Sequence, residues 1–167
     1  MAPVGSDDAR LLVLGSLPGE ASLAAQRYYA HPQNQFWRLL GAAIGEELAG
    51  IAYEDRLARL SARRIALWDV VAEAVRKGSL DAAIRDPTAN PLAEFVEAHP
   101  GVAAIAFNGQ TAAKLGRRVL GPGGDRLQLI DLPSSSPAYT APFDAKAARW
   151  AALGGLVSGG EAATLAG

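Results

Sequence analysis

Cysteine is absent from this 167-residue sequence, which excludes a disulfide framework, a thiolate nucleophile and a cysteine-ligated zinc or iron–sulfur cluster. Histidine is scarce as well: His31 and His99 are the only two, too few for a His-rich metal site. Neither a metal nor a cofactor is expected. No run approaches the roughly 20 unbroken apolar residues that span a bilayer, and the first ten residues, with Asp7 and Asp8, do not read as a signal peptide. A soluble, cytoplasmic protein is the expectation. Net positive charge is also missing: at −1 the chain is not suited to coating nucleic acid, where Lys and Arg on phosphates dominate nonspecific binding. A compact site gripping a few phosphates stays open. The local basic groups, Arg63 with Arg64, Lys114 with Arg117 and Arg118, and Lys146 with Arg149, read as solvated helix faces.

What is present is an ordinary globular composition, 50% apolar and 20% charged, enough for one core. A single domain over 1–167 is expected, with 1–9 and the small-residue tail 158–167 as flexible ends. Apolar runs at Arg10 to Gly15, Arg64 to Val71, Val102 to Phe107 and Leu127 to Leu132 read as strands buried on both faces. Between them, helical spacing appears from Asn34 to Gly45, from Tyr53 to Ala62, from Gly109 to Val119 and from Phe143 to Leu156. Ser79 is a candidate cap for a brief helix through Arg85, and Asn90 for a helix whose first position is Pro91. This alternation predicts an α/β fold, a three-layer αβα sandwich around a mostly parallel four-stranded sheet.

Open sheets of this kind bind ligands outside the carboxyl ends of their strands. Three segments are thereby selected, and they should converge on one crevice. The first runs from Gly15-Ser-Leu-Pro-Gly19 to Asn34 and carries adjacent tyrosines, Tyr28 and Tyr29, beside His31 and Asn34. An aromatic platform flanked by hydrogen-bonding groups suits a planar heterocycle. Asn108, in the second, has an amide that donates and accepts and can read a base edge; it can equally cap the following helix. The third, Leu132 to Thr140, offers hydroxyls and amides in a loop held open by prolines, able to clamp phosphates or simply to form a surface turn.

In content and order these segments resemble the uracil-DNA glycosylase superfamily over roughly Leu11 to Trp150. The most specific portion, Ala30-His-Pro-Gln-Asn-Gln-Phe-Trp37, is similar to the Ala-His-Pro-x-Asn-x-Phe-Trp run of the mismatch-specific uracil and thymine glycosylases. Two usual groups are replaced. The water-positioning Asp or Asn falls on Leu17, and the histidine that opens the Ser/Pro loop falls on Leu132. The hypoxanthine-DNA (deoxyinosine) glycosylase branch resembles this chain in Gly-Ser-Leu-Pro-Gly, Tyr-Tyr-x-His-Pro-x-Asn-x-Phe-Trp, Phe-Asn-Gly and Pro-Ser-x-Ser-Pro-Ala.

The resemblance implies a monofunctional DNA glycosylase of base excision repair, with a DNA partner carrying a deaminated base and the protein acting as a monomer. Asn34 would be catalytic, orienting water. Tyr29 would stack on the extruded base, and Ser16, Leu17 and Asn108 would contact it, the first two through their backbone. Ser134, Ser135 and Ser136 would meet DNA phosphates, while Pro137, Ala138 and Tyr139 would fill the vacated space in the duplex. His31, read as a structural hydrogen-bonder in its turn, and Asp69, read as a brace, stand behind them. Hypoxanthine is the favoured base, with uracil next, and a weakly catalytic protein that binds damaged or abasic DNA is the alternative from another class. No Gly-x-Ser-x-Gly elbow or Walker loop points to a small-molecule hydrolase or nucleotide-binding protein.

Overall fold

In chain order the elements are β1 (Val4–Gly5), β2 (Leu11–Gly15), α1 (Glu20–Ala25), α2 (Phe36–Ile44), α3 (Tyr53–Ala62), β3 (Ile65–Asp69), β4 (Val71–Val75), β5 (Arg85–Ala89), α4 (Leu92–Ala98), β6 (Ala104–Asn108), α5 (Gln110–Leu120), β7 (Gln128–Leu132) and α6 (Phe143–Trp150). The computed structural model describes residues 1–75 and 85–157. β2, which has no polar side chain, lies at the centre of a sheet ordered β1-β3-β2-β6-β7. The β2–β3, β2–β6 and β6–β7 pairs are all parallel.

Alternation along the strands divides the core into two layers. Leu11 and Val13 of β2, Ile65 and Leu67 of β3, and Ala104 and Ala106 of β6 face one side, where they meet Phe36, Trp37, Leu39 and Leu40 of α2, Leu60 of α3 and Trp150 of α6. Leu12 and Leu14, Ala66 and Trp68, and Ile105 and Phe107 face the other, against Leu92 and Val96 of α4 and Ala112, Ala113 and Leu120 of α5. This is the three-layer sandwich. Burying each large aliphatic side chain contributes about 1.5–3 kcal/mol, so truncating Leu12 or Leu14, both 0% exposed, should cost about 2–5 kcal/mol.

The sheet has five strands where four were expected. The addition is β1, which pairs antiparallel with β3 through Val4↔Leu67 and Gly5↔Ala66. The same amino-terminal stretch is held by Trp68 Nε1 donating to the Met1 carbonyl at 3.1 Å and Tyr28 Oη donating to that of Ala2 at 2.7 Å. A separate antiparallel pair, β4 with β5, was also not anticipated. The brief helix expected from Ser79 lies outside the described residues except for Arg85, which begins β5; the tail from Ser158 lies outside them entirely.

Asn90 does not cap α4. Its Nδ2 donates to the Asp69 carbonyl at 2.7 Å, Pro91 takes the N-cap position, and no side-chain cap bond forms. The asparagine thus links the end of β3 to the entry of α4. α2 begins at Phe36 and stops at Gly45, whose φ of +74° is the left-handed conformation glycine adopts without a Cβ penalty.

Candidate active site

Because β2, β3, β6 and β7 run parallel, their carboxyl ends lie along one edge of the sheet. A crevice of about 790 Å3 opens there, lined by residues from all three selected segments together with Asp69. Each sequence-designated residue has a definite place in or beside it.

At the end of β2 the strand gives way to the Ser16–Gly19 loop. Ser16 is buried and Leu17 half-buried, and the Leu17 side chain packs against the layer built on Leu12 and Leu14. Leu17 therefore meets the crevice without a polar side chain. Gly15 is required by close approach: a Cβ there would stand 2.7 Å from Asp69 Oδ1 and 2.8 Å from Tyr29 Oη. The Asp69 carboxylate and the Tyr29 hydroxyl thus converge over this glycine.

Tyr29 adopts a positive φ of +55°, a left-handed conformation that costs a non-glycine residue about 1–3 kcal/mol and is held only by surrounding structure. Its ring lies parallel to Phe36, with centroids 3.7 Å apart and an 11° interplanar angle. Phe36 in turn meets Trp37 and Trp150 edge-on. The tyrosine is thereby a fixed plate at the crevice wall. Tyr28 is buried, contributes only an edge to the crevice lining, and receives the Trp37 indole N–H on its carbonyl at 3.1 Å. Burial, and next the negative charge of Asp69, pushes the Tyr28 phenol well above its usual range.

The strap from Ala30 to Gln35 is held by local hydrogen bonds. His31 is exposed, and its Nδ1 accepts the Gln33 amide at 3.1 Å, which in a neutral ring leaves the proton on Nε2. Its carbonyl accepts the Asn34 amide at 3.0 Å. Asn34 Oδ1 accepts two bonds, from the Phe36 amide at 3.0 Å and from the Ser135 hydroxyl at 2.7 Å. The first satisfies an amide of the opening turn of α2. With Oδ1 so occupied, Nδ2 is what Asn34 can offer to a ligand.

Asn108, the last residue of β6, is buried and linked to the same serine. Ser135 N–H donates to Asn108 Oδ1 at 2.9 Å, and Asn108 Nδ2 donates to Ser135 Oγ at 2.8 Å. Gly109 follows with a φ of +99°, and a Cβ there would stand 3.1 Å from Ser134 Cβ, so the absence of a side chain lets the third segment lie against the second.

Ser135 departs from the expected surface role. It is 0% exposed, and its amide, carbonyl and hydroxyl all serve the interior, the carbonyl accepting Gln35 N–H at 3.0 Å. A phosphate has no access to it. Ser134 and Ser136 are half-buried and brace the loop in succession: Ser136 N–H donates to Ser134 Oγ at 3.1 Å, and Ala138 N–H to Ser136 Oγ at 3.2 Å. Beyond them Pro137, Ala138 and Tyr139 are exposed, Tyr139 by 50%.

Lys146 is the residue sequence reading missed. Placed among solvated cations, it is 1% exposed, with Nζ donating to Gln35 Oε1 at 3.0 Å and to the Ser136 carbonyl at 3.3 Å. Burial lowers its pKa below the usual lysine range. The signal was present: Phe143, Lys146 and Trp150 stand three and four residues apart, on one helix face. Arg149, from the same basic pair, lines the crevice and donates to the Asp131 carbonyl at 3.2 Å.

A family model described as the uracil DNA glycosylase superfamily matches residues 2–154. The chain is 39% identical over 147 residues to a hypoxanthine DNA glycosylase of Methanosarcina acetivorans, an alignment covering 88% of this chain and 91% of that protein. To a hypoxanthine DNA glycosylase of Methanosarcina barkeri it is 40% identical over 112 residues, 67% of this chain and 71% of the relative. Its backbone is similar to the solution NMR structure of a candidate uracil DNA glycosylase from Methanosarcina acetivorans, with a TM-score of 0.83, 37% identity, and coverage of 95% of this chain and 96% of that one.

Proposed function

Because this chain belongs to the uracil DNA glycosylase superfamily, we propose that the base it removes from DNA is hypoxanthine, with Asn34 placing the hydrolytic water. It is a DNA glycosylase, a hydrolase of N-glycosyl bonds that acts on deaminated bases in base excision repair. The observation that carries the finer reading is the meeting of Asn34, Asn108 and Tyr29 at one crevice.

Hypoxanthine and uracil carry a ring carbonyl where adenine and cytosine carry an amino group. A fixed donor facing that position favours the deaminated base. Asn108 supplies one: a backbone N–H can only donate, so the Ser135 amide pins Oδ1 and leaves Nδ2 with one hydrogen beyond the one on Ser135 Oγ. The extruded base lies against Tyr29 and extends the stack that begins at Phe36.

Cleavage breaks the bond between C1′ and the base nitrogen, placing positive charge on the sugar and negative charge on the departing base. Fixed dipoles are effective here without a strong general base. Backbone amides near Ser16 and Leu17, with Asn108, stabilise the base. Asn34 Nδ2 holds the water oxygen, whose remaining lone pair forms the new bond to C1′; one water proton stays on the new hydroxyl and the other neutralises the released base. Among the described residues lining the crevice there is no lysine, which supports action without a Schiff base or strand cleavage. Ser134, Ser136 and Arg149 meet phosphates, and Tyr139 enters the gap left in the duplex. The protein works as a monomer in the cytoplasm, and no helix among its described residues is long and apolar enough to cross a membrane.

Oligonucleotides carrying inosine, uracil or xanthine, single- and double-stranded, test this reading after incubation and alkaline cleavage. Inosine should be cut fastest. A preference for uracil would transfer the activity to that base, and no cleavage of any of them together with tight binding to abasic DNA would replace the enzyme with a binding protein.

A further inference from the structure

The two amides assigned to opposite sides of the scissile bond are joined through one hydroxyl. Asn108 Nδ2 donates to Ser135 Oγ at 2.8 Å, and Ser135 Oγ donates to Asn34 Oδ1 at 2.7 Å. Direction along this chain is set at both ends by backbone donors: Ser135 N–H on Asn108 Oδ1 at 2.9 Å and Phe36 N–H on Asn34 Oδ1 at 3.0 Å. Neither amide can turn over without setting a donor against a donor. The serine hydroxyl, accepting from one asparagine, has its single proton on the other. At 0% exposure it has no contact with solvent that would offer an alternative partner.

We infer that Ser135 is a positioning residue that couples reading of the base at Asn108 to placement of the water at Asn34, an inference that rests on the roles proposed above for those two residues. A base carbonyl held by the second Nδ2 hydrogen of Asn108 adds a third hold on an amide that Ser135 already orients, and narrows the tilt left to its plane. The plane fixes Ser135 Oγ, and Ser135 Oγ fixes the Asn34 amide whose Nδ2 holds the water. A base that fails to engage Asn108 leaves the water site less well defined, and a displacement of about 1 Å at a reacting group lowers a rate by about 100-fold. The coupling is therefore a second stage of selection, acting on chemistry after binding.

The backbone bonds of Ser135, to Asn108 Oδ1 and from Gln35 N–H, do not involve its hydroxyl and persist in Ser135→Ala. The test is single-turnover release of hypoxanthine from inosine-containing DNA by the full chain, with enzyme in excess. S135A should lower the rate about 10- to 100-fold with a modest loss of melting temperature, because the buried Asn108 Nδ2 loses its acceptor, while the chain still melts cooperatively and its affinity for an abasic-site oligonucleotide stays near the parent value. Asn34→Ala and Asn108→Ala should be strongly non-additive with serine at 135 and multiply independently with alanine there. Ser135→Thr, which keeps the hydroxyl, should recover part of the rate lost in S135A. A rate for S135A within twofold of the parent, or a coupling between Asn34 and Asn108 that survives S135A, overturns the inference. Where S135A does not fold, the cycle in the parent decides alone: independent effects of N34A and N108A contradict the coupling. A parent inert on every deaminated base defeats the underlying reading, whereas an active parent with additive variants defeats the relay only.

Discussion

Lys146 Nζ donates to Gln35 Oε1 at 3.0 Å, tying α6 to the residue that follows Asn34. The same ammonium reaches the Ser136 carbonyl at 3.3 Å and lies 5.3 Å from the centre of the Tyr139 ring. One buried cation thus holds the strap that carries Asn34 and the loop that carries Tyr139 in a single register. Ser135 and Gln35, bonded between carbonyl and amide at 3.0 Å, hold the same seam from within.

Replacing Lys146 by methionine keeps an unbranched apolar stem, ends it about where lysine has Cε, and leaves the Gln35 and Ser136 oxygens without their donor. A loss of about 1–3 kcal/mol in stability is expected, with a larger proportional fall in activity on duplex DNA. The pH dependence has a definite sign. Burial lowers the Lys146 pKa, so in the alkaline interval between its folded value and the ordinary lysine range the unfolded chain binds more protons, and the parent gains stability as pH rises. Denaturant melts of parent and K146M should therefore diverge across that interval. Convergence would mean that the ammonium is not buried.

Gly15→Ala tests the convergence of Tyr29 and Asp69. The added methyl would stand within 2.8 Å of both side-chain oxygens, forcing them apart at the crevice wall. Base release should fall about 10- to 100-fold, while the β2–β3 register, which pairs Gly15 with Asp69, is retained. Single-turnover rates together with thermal melts separate the two effects. Full activity in G15A would show that the positions of Tyr29 and Asp69 do not matter to the reaction.

Tyr139, half exposed at the end of the Ser/Pro loop, should matter only where a duplex must be held open. Tyr139→Ala is expected to leave stability within about 0.5 kcal/mol of the parent. Its rate on duplex inosine should drop about tenfold or more, since unstacking a base costs a few kcal/mol, with little change on single strands. Equal losses on both substrates would place Tyr139 outside the duplex.

Much of this architecture was legible in the sequence because buried parallel strands have a plain signature. Leu11–Gly15 and Ala104–Asn108 are covered on both faces, their residues up to Gly15 and Phe107 read as unbroken apolar runs, and the carboxyl-end rule then gathered the crevice segments from three separate parts of the chain. Less regular elements were hidden. Helix α1 begins directly after Pro18-Gly19, residues that suggest only a loop, and β5 contains Pro87, which argues against a strand interior. Asn90 looked like a cap because its position is right, but the Asp69 carbonyl claims its side chain. Three successive serines, Ser134 to Ser136, cannot be told apart locally. Tertiary register alone turns the middle one inward. Lys146 was readable in principle from its spacing with Phe143 and Trp150, yet its charge and the neighbouring Arg149 pointed to solvent.

The central claim, that Asn34 serves the chemistry of base release, is tested most directly by single-turnover release of hypoxanthine from inosine-containing duplex DNA by the parent and Asn34→Ala, with melting temperatures measured alongside. Loss of a fixed group at the reacting centre should lower the rate by about 100- to 1,000-fold. Because the Phe36 amide and the Ser135 hydroxyl also lose their acceptor, stability should fall modestly, by about 1–3 kcal/mol, in a chain that still melts cooperatively. Equal rates for N34A and the parent would contradict the account.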